Sequence, residues 1–291
     1  MGNLKETRVR IASVTSTRQI TSAMKMVSAA KLRKAQDTIV QIRPYATKLV
    51  EILVNLSSSM DTSEDNPYAK QRPADNVLII LITSNRGLCG AFNSNAIKRA
   101  VSIAQNEYAT QLKNGKLGFI AIGKVGHNFL KSRKYNIVSS HNDLFDKLSF
   151  KNTSSVAEII MQAFVKGNYD RIEIVYNQFK NAGTQILTNE QYLPVKIETD
   201  AKRKVADYIF EPSKEYIVKD LIPKSLKIQF YKAIIDSNAA EHGARMTAMH
   251  KATDNATDMI HQLKLMYNKE RQASITKEIL EIVGGAEALK G

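Results

Sequence analysis

Residues 32–56 read LRKAQDTIVQIRPYATKLVEILVNL. Within them Leu32, Ala35, Ile39, Ile42, Ala46, Leu49, Leu53 and Leu56 recur alternately three and four apart. That spacing holds one apolar stripe on one helix face, the seam of a coiled coil. Pro44 has no amide proton to bond the Val40 carbonyl, so a kink near Val40–Pro44, or a break, is expected. Upstream, Ile11 and Val14, then Ile20, Met24 and Val27, continue a helical pattern less regularly. A helix from about Leu4 to Ser58 follows, and a stripe of this kind needs a partner.

The other end of the chain supplies one. Ser213, after Glu211 and Pro212, is a candidate N-cap. No proline follows Pro223, and Gly243 is the sole glycine between it and Gly284. A helix over Lys224–Leu289 would be on the order of 100 Å long at ~1.5 Å per residue. Ile275, Ile279, Ile282, Ala286 and Leu289 again step by four and three, and the simplest partner for them is the N-terminal helix. A chain that leaves on one helix and returns on the other makes the pair antiparallel. Arg245, Asp254, Asn255, Asp258, His261 and Lys264 interrupt the apolar pattern, so an uneven pair is expected rather than one continuous register. Gly284 and Gly285 should loosen the final turns.

Between the helices strand and helix alternate. Val77–Ile82 is a continuous apolar run, as in a strand buried on both faces. Helix is expected over Asn95–Leu112, strand over Leu117–Ile122, helix over Val125–Ser132, strand over Ile137–Ser139 and helix over Val156–Phe164. Arg171–Phe179 and Gln185–Lys196 read as a hairpin about Asn181-Ala182-Gly183. The fold class is therefore α/β: a long antiparallel coiled coil of N- and C-terminal helices plus a central Rossmann-like α/β domain. The segments are 1–60 (N-terminal helix), 61–75 (a polar linker with Pro67 and Pro73), 76–210 (central domain) and 211–291 (C-terminal helix).

Composition narrows the rest. The chain of 291 residues has only 6 prolines and 13 glycines, which favours long helices. Its lone cysteine, Cys89, excludes an internal disulfide and suits a reducing compartment. The N-terminus lacks the apolar core of a signal peptide and no transit peptide is evident. Val77–Ile82, the longest apolar run, is too short to cross a bilayer. The net charge of +14 attracts acidic partners. Much of it lies on the first helix, where Lys31, Arg33 and Lys34 are adjacent. Nucleic acid could answer such a face, but no aromatic residues interleave with it to stack bases.

Candidate sites for chemistry are weak. The loop Arg86-Gly87-Leu88-Cys89-Gly90-Ala91-Phe92-Asn93 lies where a Rossmann domain holds phosphate, yet it is neither G-x-G-x-x-G nor a P-loop. Its glycines are better explained by a tight turn. Cys89 has no histidine nearby in sequence to act as its base. His242, His250 and His261 are eight and eleven apart, which matches no zinc motif. Glu278 and Glu281 share a helix face with no pocket implied. No catalytic residue, metal site or cofactor is expected.

Three stretches carry a resemblance. The first is Arg10-Ile11-Ala12-Ser13-Val14, followed by residues 19–33, QITSAMKMVSAAKLR. The second is residues 83–93, TSNRGLCGAFN. The third begins at residues 241–246, EHGARM, and Asp254-Asn255-Ala256, and continues in residues 267–278, YNKERQASITKE, and 281–286, EIVGGA. Together they resemble the gamma subunit of F-type ATP synthases across the whole chain. The resemblance implies a non-catalytic central-stalk rotor. Its helices would pass through a ring of alpha and beta subunits, and its globular domain would bind epsilon and stand on the c ring. It implies that Met24, Arg245, Arg271, Gln272, Thr276 and Glu278 serve contact with beta and coupling. Tyr208 and Glu211 would belong to a foot facing the c ring. The basic neck at Lys31, Arg33 and Lys34 would face acidic loops of beta, and the last apolar turns would sit in a hydrophobic sleeve. It also implies a peripheral place, through the complex, on the cytoplasmic face of a bacterial inner membrane. A single cysteine excludes the regulatory dithiol of chloroplast forms.

Overall fold

The computed structural model describes residues 4–57, 67–195 and 214–288. Helix α1 spans Leu4–Ser57 and runs through Pro44 without a break. Proline forgoes one backbone bond inside a helix, but here the seam is held on both sides of it. Leu32, Ala35, Ile39 and Leu49 are buried, and Ile42 and Ala46 are half-buried. The side chains of Leu53 and Leu56 lie outside the described residues, as does Ser213. Helix α6 spans Lys214–Ala288, its first described residue following the candidate N-cap position, and continues through both Pro223 and Gly284-Gly285. Buried Ile222 and Leu226 flank Pro223 and dock this turn on the core of the α/β sheet.

The chain forms two compact units, Met1–Ser28 with Met246–Gly291, and Ala29–Arg245. In the first, α1 and α6 are antiparallel, because rising numbers on one meet falling numbers on the other. Thr7 Oγ1 donates to Glu270 Oε2 at 3.0 Å and Arg8 Nη2 to the Tyr267 hydroxyl at 2.8 Å. Thr21 and Thr253 share a hydroxyl bond of 2.8 Å, and Lys25 Nζ lies 3.3 Å from His250 Nδ1.

The seam in this unit is more regular than the apolar residues suggest. On α1 it is Thr7, Ile11, Val14, Arg18, Thr21, Lys25 and Ser28; on α6 it is Met249, Thr253, Ala256, Ile260, Leu263, Tyr267, Glu270 and Ser274. All are buried or half-buried and step alternately by four and three. Ile20 and Val27, expected on the seam, are instead 60% and 57% exposed, while Met24 is half-buried. Small hydroxyl residues take their place because their polar atoms are satisfied locally. Thr21 Oγ1 also reaches the Arg18 carbonyl, and Ser28 Oγ donates to the Met24 carbonyl at 2.7 Å. Asp254, Asn255, Asp258, His261 and Lys264 do not interrupt the register; they lie exposed beside it. The expected pairing of Ile275, Ile279 and Ile282 with α1 is not found. All three are exposed, off the seam face and beyond the Thr7–Glu270 contact.

The second unit is built on a five-stranded sheet. Its elements are β1 (Val77–Ile82), α2 (Phe92–Ser102), α3 (Ala109–Lys113), β2 (Leu117–Ile122), α4 (Lys124–Ser132), β3 (Ile137–Ser140), α5 (Phe150–Val165), β4 (Arg171–Asn181) and β5 (Thr184–Leu193). The strand order is β3-β2-β1-β4-β5, parallel except for the β4–β5 hairpin. Every residue of β1 is buried. Leu78, Ile80 and Ile82 face a core shared with α5 and α6, and Val77, Ile79 and Leu81 face one shared with α2 and α4. The expected single helix over Asn95–Leu112 starts earlier and is divided by a π turn, Ile103–Glu107. The Tyr108 amide bonds the Ile103 carbonyl, and its hydroxyl donates to Glu173, which is buried on β4. The extra residue in that turn lets the tyrosine meet the carboxylate.

The Thr21–Thr253 bond makes the pairing testable. Each single valine substitution should cost about 1 kcal/mol by removing the bond between the helices, the other hydroxyl keeping its own helix carbonyl, while the double substitution should cost little more than either single one. Chemical unfolding of the four proteins measures this; strictly additive effects would contradict a direct bond.

Candidate functional site

The glycine loop leaves the carboxyl end of β1, where the strand order reverses, the place an open α/β sheet offers a ligand. Two of its residues are left-handed, Leu88 at φ 62° and Gly90 at φ 59°. Glycine takes that conformation at no steric cost; leucine does not. The loop's polar groups are turned inward. Asn93 Oδ1 accepts the Ser84 amide at 2.9 Å, and its Nδ2 donates to Ser84 Oγ at 2.8 Å and contacts Cys89 Sγ at 3.1 Å. Ser84 Oγ donates to the Arg86 carbonyl at 2.6 Å, and Asn85 spans to the Asn142 carbonyl and the Lys124 amide.

Arg245 of α6 completes the arrangement. Its Nη2 donates to the carbonyls of Arg86 and Gly87 at 2.9 and 3.2 Å, and its Nη1 pairs with Glu241 one turn back. A phosphate cradle turns amide N–H groups toward its ligand. This loop instead turns two carbonyls toward a guanidinium. Cys89 is 1% exposed, and burial pushes its thiol up, away from the thiolate a nucleophile requires. The open groove beside the loop is lined by Leu88, Ile97, Val101, Val125 and Phe129, with Lys98 its one charged side chain. It holds no acid–base pair. Among the described residues no group of three or more histidine, cysteine, aspartate or glutamate side chains could hold a metal ion.

Two ionisable groups flank Arg245. Burial pushes Glu241 up against the opposing pull of Arg245 and Lys31. Burial, then Arg245 and Lys31, lower His242 to about 4, so its imidazole is neutral. His250 is exposed beside Lys25 and Asp254, and His261 is exposed. No histidine cluster forms among them.

The residues singled out by resemblance are spread along the chain. Arg271, Gln272, Thr276 and Glu278 are exposed on α6, with Thr276 Oγ1 bonded to the Gln272 carbonyl and Glu278 accepting from Ser274. Glu281 is exposed and pairs with Lys277. Lys31, Arg33 and Lys34 are exposed on α1. Arg245 is buried and engaged within its own unit. Tyr208 and Glu211 lie outside the described residues. Reading the sequence missed Glu241 as the partner of Arg245, although their i, i+4 spacing was a usable signal. It also missed the Tyr108–Glu173 bond, which joins residues 65 apart with no local signature.

Known proteins resemble this chain along its full length. The family model described as ATP synthase matches residues 3–289. The ATP synthase gamma chain of Flavobacterium psychrophilum is 59% identical over 292 residues, covering all of both chains. That of Cytophaga hutchinsonii is 54% identical over 293 residues, covering 99% of each. Among solved structures, a chain of the central stalk and c ring of the Tetrahymena thermophila mitochondrial ATP synthase is 25% identical with a TM-score of 0.59; the match covers 80% of this chain and 99% of that one. A chain of the Euglena gracilis mitochondrial ATP synthase, 24% identical, shares the fold at a TM-score of 0.67, covering 98% of this chain and 94% of that one.

His242 gives a pH signature. The unfolded imidazole titrates near 6.5 and the folded one at about 4, so its stabilising contribution is full above 6.5 and is lost as pH falls toward 4. The loss should reach about 1.4 kcal/mol per pH unit. Glu241 works in the opposite sense, being favoured by acid, so the comparison is with His242→Gln. Urea midpoints should fall more steeply between about pH 6.5 and 4.5 in the unsubstituted protein. Parallel pH profiles would show that His242 is not buried neutral.

Proposed function

The chain belongs to the ATP synthase gamma-chain family, and from that premise we propose that it is the non-catalytic rotor of an F-type enzyme. Ion flow through a c ring would turn it, and its uneven faces would drive the catalytic sites of three beta subunits through different conformations; ATP hydrolysis would run the cycle in reverse. The observation that carries this reading is the exposed surface of α1 and of α6, on the pair and on the end of α6 beyond it. Val9, Ile20 and Val27 on α1, and Ile279, Ile282 and Val283 on α6, are large apolar side chains more than half exposed in the lone chain. Apolar stripes of this extent call for a surrounding partner. A non-directional, apolar contact can also slide as the rotor turns.

The proposed partners are the alpha and beta subunits around the helices, with epsilon and the c ring beside the α/β unit. Arg271, Gln272, Thr276 and Glu278 are available to a loop of beta because they are exposed; half-buried Met24, on the stretch of α1 level with His250, would meet beta separately. Lys31, Arg33 and Lys34 supply a basic neck for acidic loops of beta, and Tyr208 and Glu211 a foot toward the c ring. A rotor biases a beta site only by the difference in contact energy between that site's states. Unequal faces are therefore a requirement, and exposed apolar side chains beside exposed charged ones such as Lys31, Arg33, Lys34 and Arg271 provide them. No described helix is long and apolar enough to cross a membrane, which suits a peripheral place on the cytoplasmic face of a bacterial inner membrane, held through the complex. The internally bonded glycine loop supports a role without catalysis of its own.

Two measurements bear on this. The purified chain should co-assemble with alpha and beta subunits into a rotating ATPase, and failure to assemble would sink the reading. In the assembled enzyme, Arg271→Ala with Gln272→Ala should reduce ATP-driven ion pumping about five- to tenfold, as expected for ~1 kcal/mol of lost differential contact, with the melting temperature of the free chain unchanged. Pumping at the original rate would remove these two residues from the coupling contact.

A further inference from the structure

We propose that Glu241, Gly243 and Arg245 form a two-sided grip by which the α/β unit holds α6. All three residues belong to the Ala29–Arg245 unit, and the mechanical consequence of the grip rests on the rotor reading above. Gly243 forms one jaw. A Cβ there would stand 3.2 Å from both the Cα and the carbonyl oxygen of Ala182, and 3.5 Å from the Phe179 ring. The helix backbone thus lies directly against the tip of the β4–β5 hairpin. A glycine in a helix interior costs about 1 kcal/mol relative to alanine, and close backbone approach is a physical reason to accept that cost.

Arg245 forms the other jaw. Two residues along a helix turn its side chain by about 200°, to the opposite side from Gly243. There the guanidinium bonds the Arg86 and Gly87 carbonyls of the β1 loop. Glu241, one turn back on the same side, holds the guanidinium by its other nitrogen. The hairpin tip and the β1 loop lie far apart in the unit's sequence yet close on one helical turn. A helix held on opposite sides resists both sliding and rolling about its own axis. In a rotor, that is where torque passes between the α/β unit and α6. Arg245 and Glu241 are then positioning residues: they fix the glycine loop against the helix.

Cys89 provides a reporter, being the chain's single cysteine and 1% exposed beneath this loop. Labelling of the intact chain with an aromatic disulfide reagent should be slow. Arg245→Ala should speed it at least tenfold, while Arg245→Lys, which cannot span Glu241 and two carbonyls with a planar fork, should fall between. Exposed Lys113→Ala should match the unsubstituted rate. Should Arg245→Ala fail to fold, as read by circular dichroism, Glu241→Gln carries the test and should also accelerate labelling. Labelling at the original rate in a folded Arg245→Ala or Glu241→Gln chain overturns the grip. Because this arm uses the free chain, it stands whether or not the rotor reading does. In the assembled enzyme, at a temperature where the variant stays folded, Arg245→Ala should lower ions pumped per ATP hydrolysed, with partial rescue by lysine. Faster labelling with an unchanged pumping ratio would reduce the grip to local packing and overturn its mechanical role. Failure of the unsubstituted chain to assemble would count against the rotor reading alone.

Discussion

The pairing of α1 with α6 is the interaction on which the unit of paired helices rests, because there, among the described residues, each helix has only the other to cover its stripe. In the Met1–Ser28 and Met246–Gly291 unit that pairing follows a regular seam, yet little of it is aliphatic. Threonine, serine, tyrosine and glutamate stand among isoleucines, a valine, a leucine and one alanine. Hydroxyl bonds such as Thr21 to Thr253 fix register in a way that apolar contact cannot, since they are satisfied in one alignment only. Aliphatic residues are correspondingly released to the outside, where Ile20 and Val27 stand exposed. A seam of modest apolarity and an outer surface of unusual apolarity are thus two sides of one choice.

The α/β unit shows a parallel reuse of a general scaffold. Its strand order creates a crevice at the end of β1, and a glycine-containing loop occupies it. In this chain the loop is also bonded by a side chain from α6. The loop's carbonyls meet Arg245, its hydroxyl and amide groups meet one another, and Cys89 is sealed beneath. The loop conformation that can present amides to a ligand here presents carbonyls to α6. Buried ion pairs are costly to assemble, so Glu241 and Arg245 are better understood as specifying one docking geometry than as adding stability.

Parts of the structure were legible from residues 32–49 and 77–82 alone. Aliphatic side chains at seam spacing and a six-residue apolar run have few alternatives; the seam was found buried or half-buried and the run fully buried. The hairpin was legible because Asn181-Ala182-Gly183 separates two strand-like runs. Sequence reading failed where polarity was taken as exposure. Thr7, Thr21 and Ser28 are buried because a backbone carbonyl or a partner side chain satisfies each hydroxyl, which hydropathy cannot record. It failed again at Ile103–Glu107, where the π turn answers a carboxylate on a distant strand.

The sequence by itself determined the two long helices, the alternation of strand and helix between them, and the family to which the chain belongs. Local periodicity and motif spacing are sufficient for those, since they are written in neighbouring residues. The tertiary structure decided which face of each helix turns inward, where Arg245 spends its hydrogen bonds, and why Gly243 has no side chain. Those depend on groups brought together from far along the chain, and burial or pairing can be assigned only once the neighbours are in place.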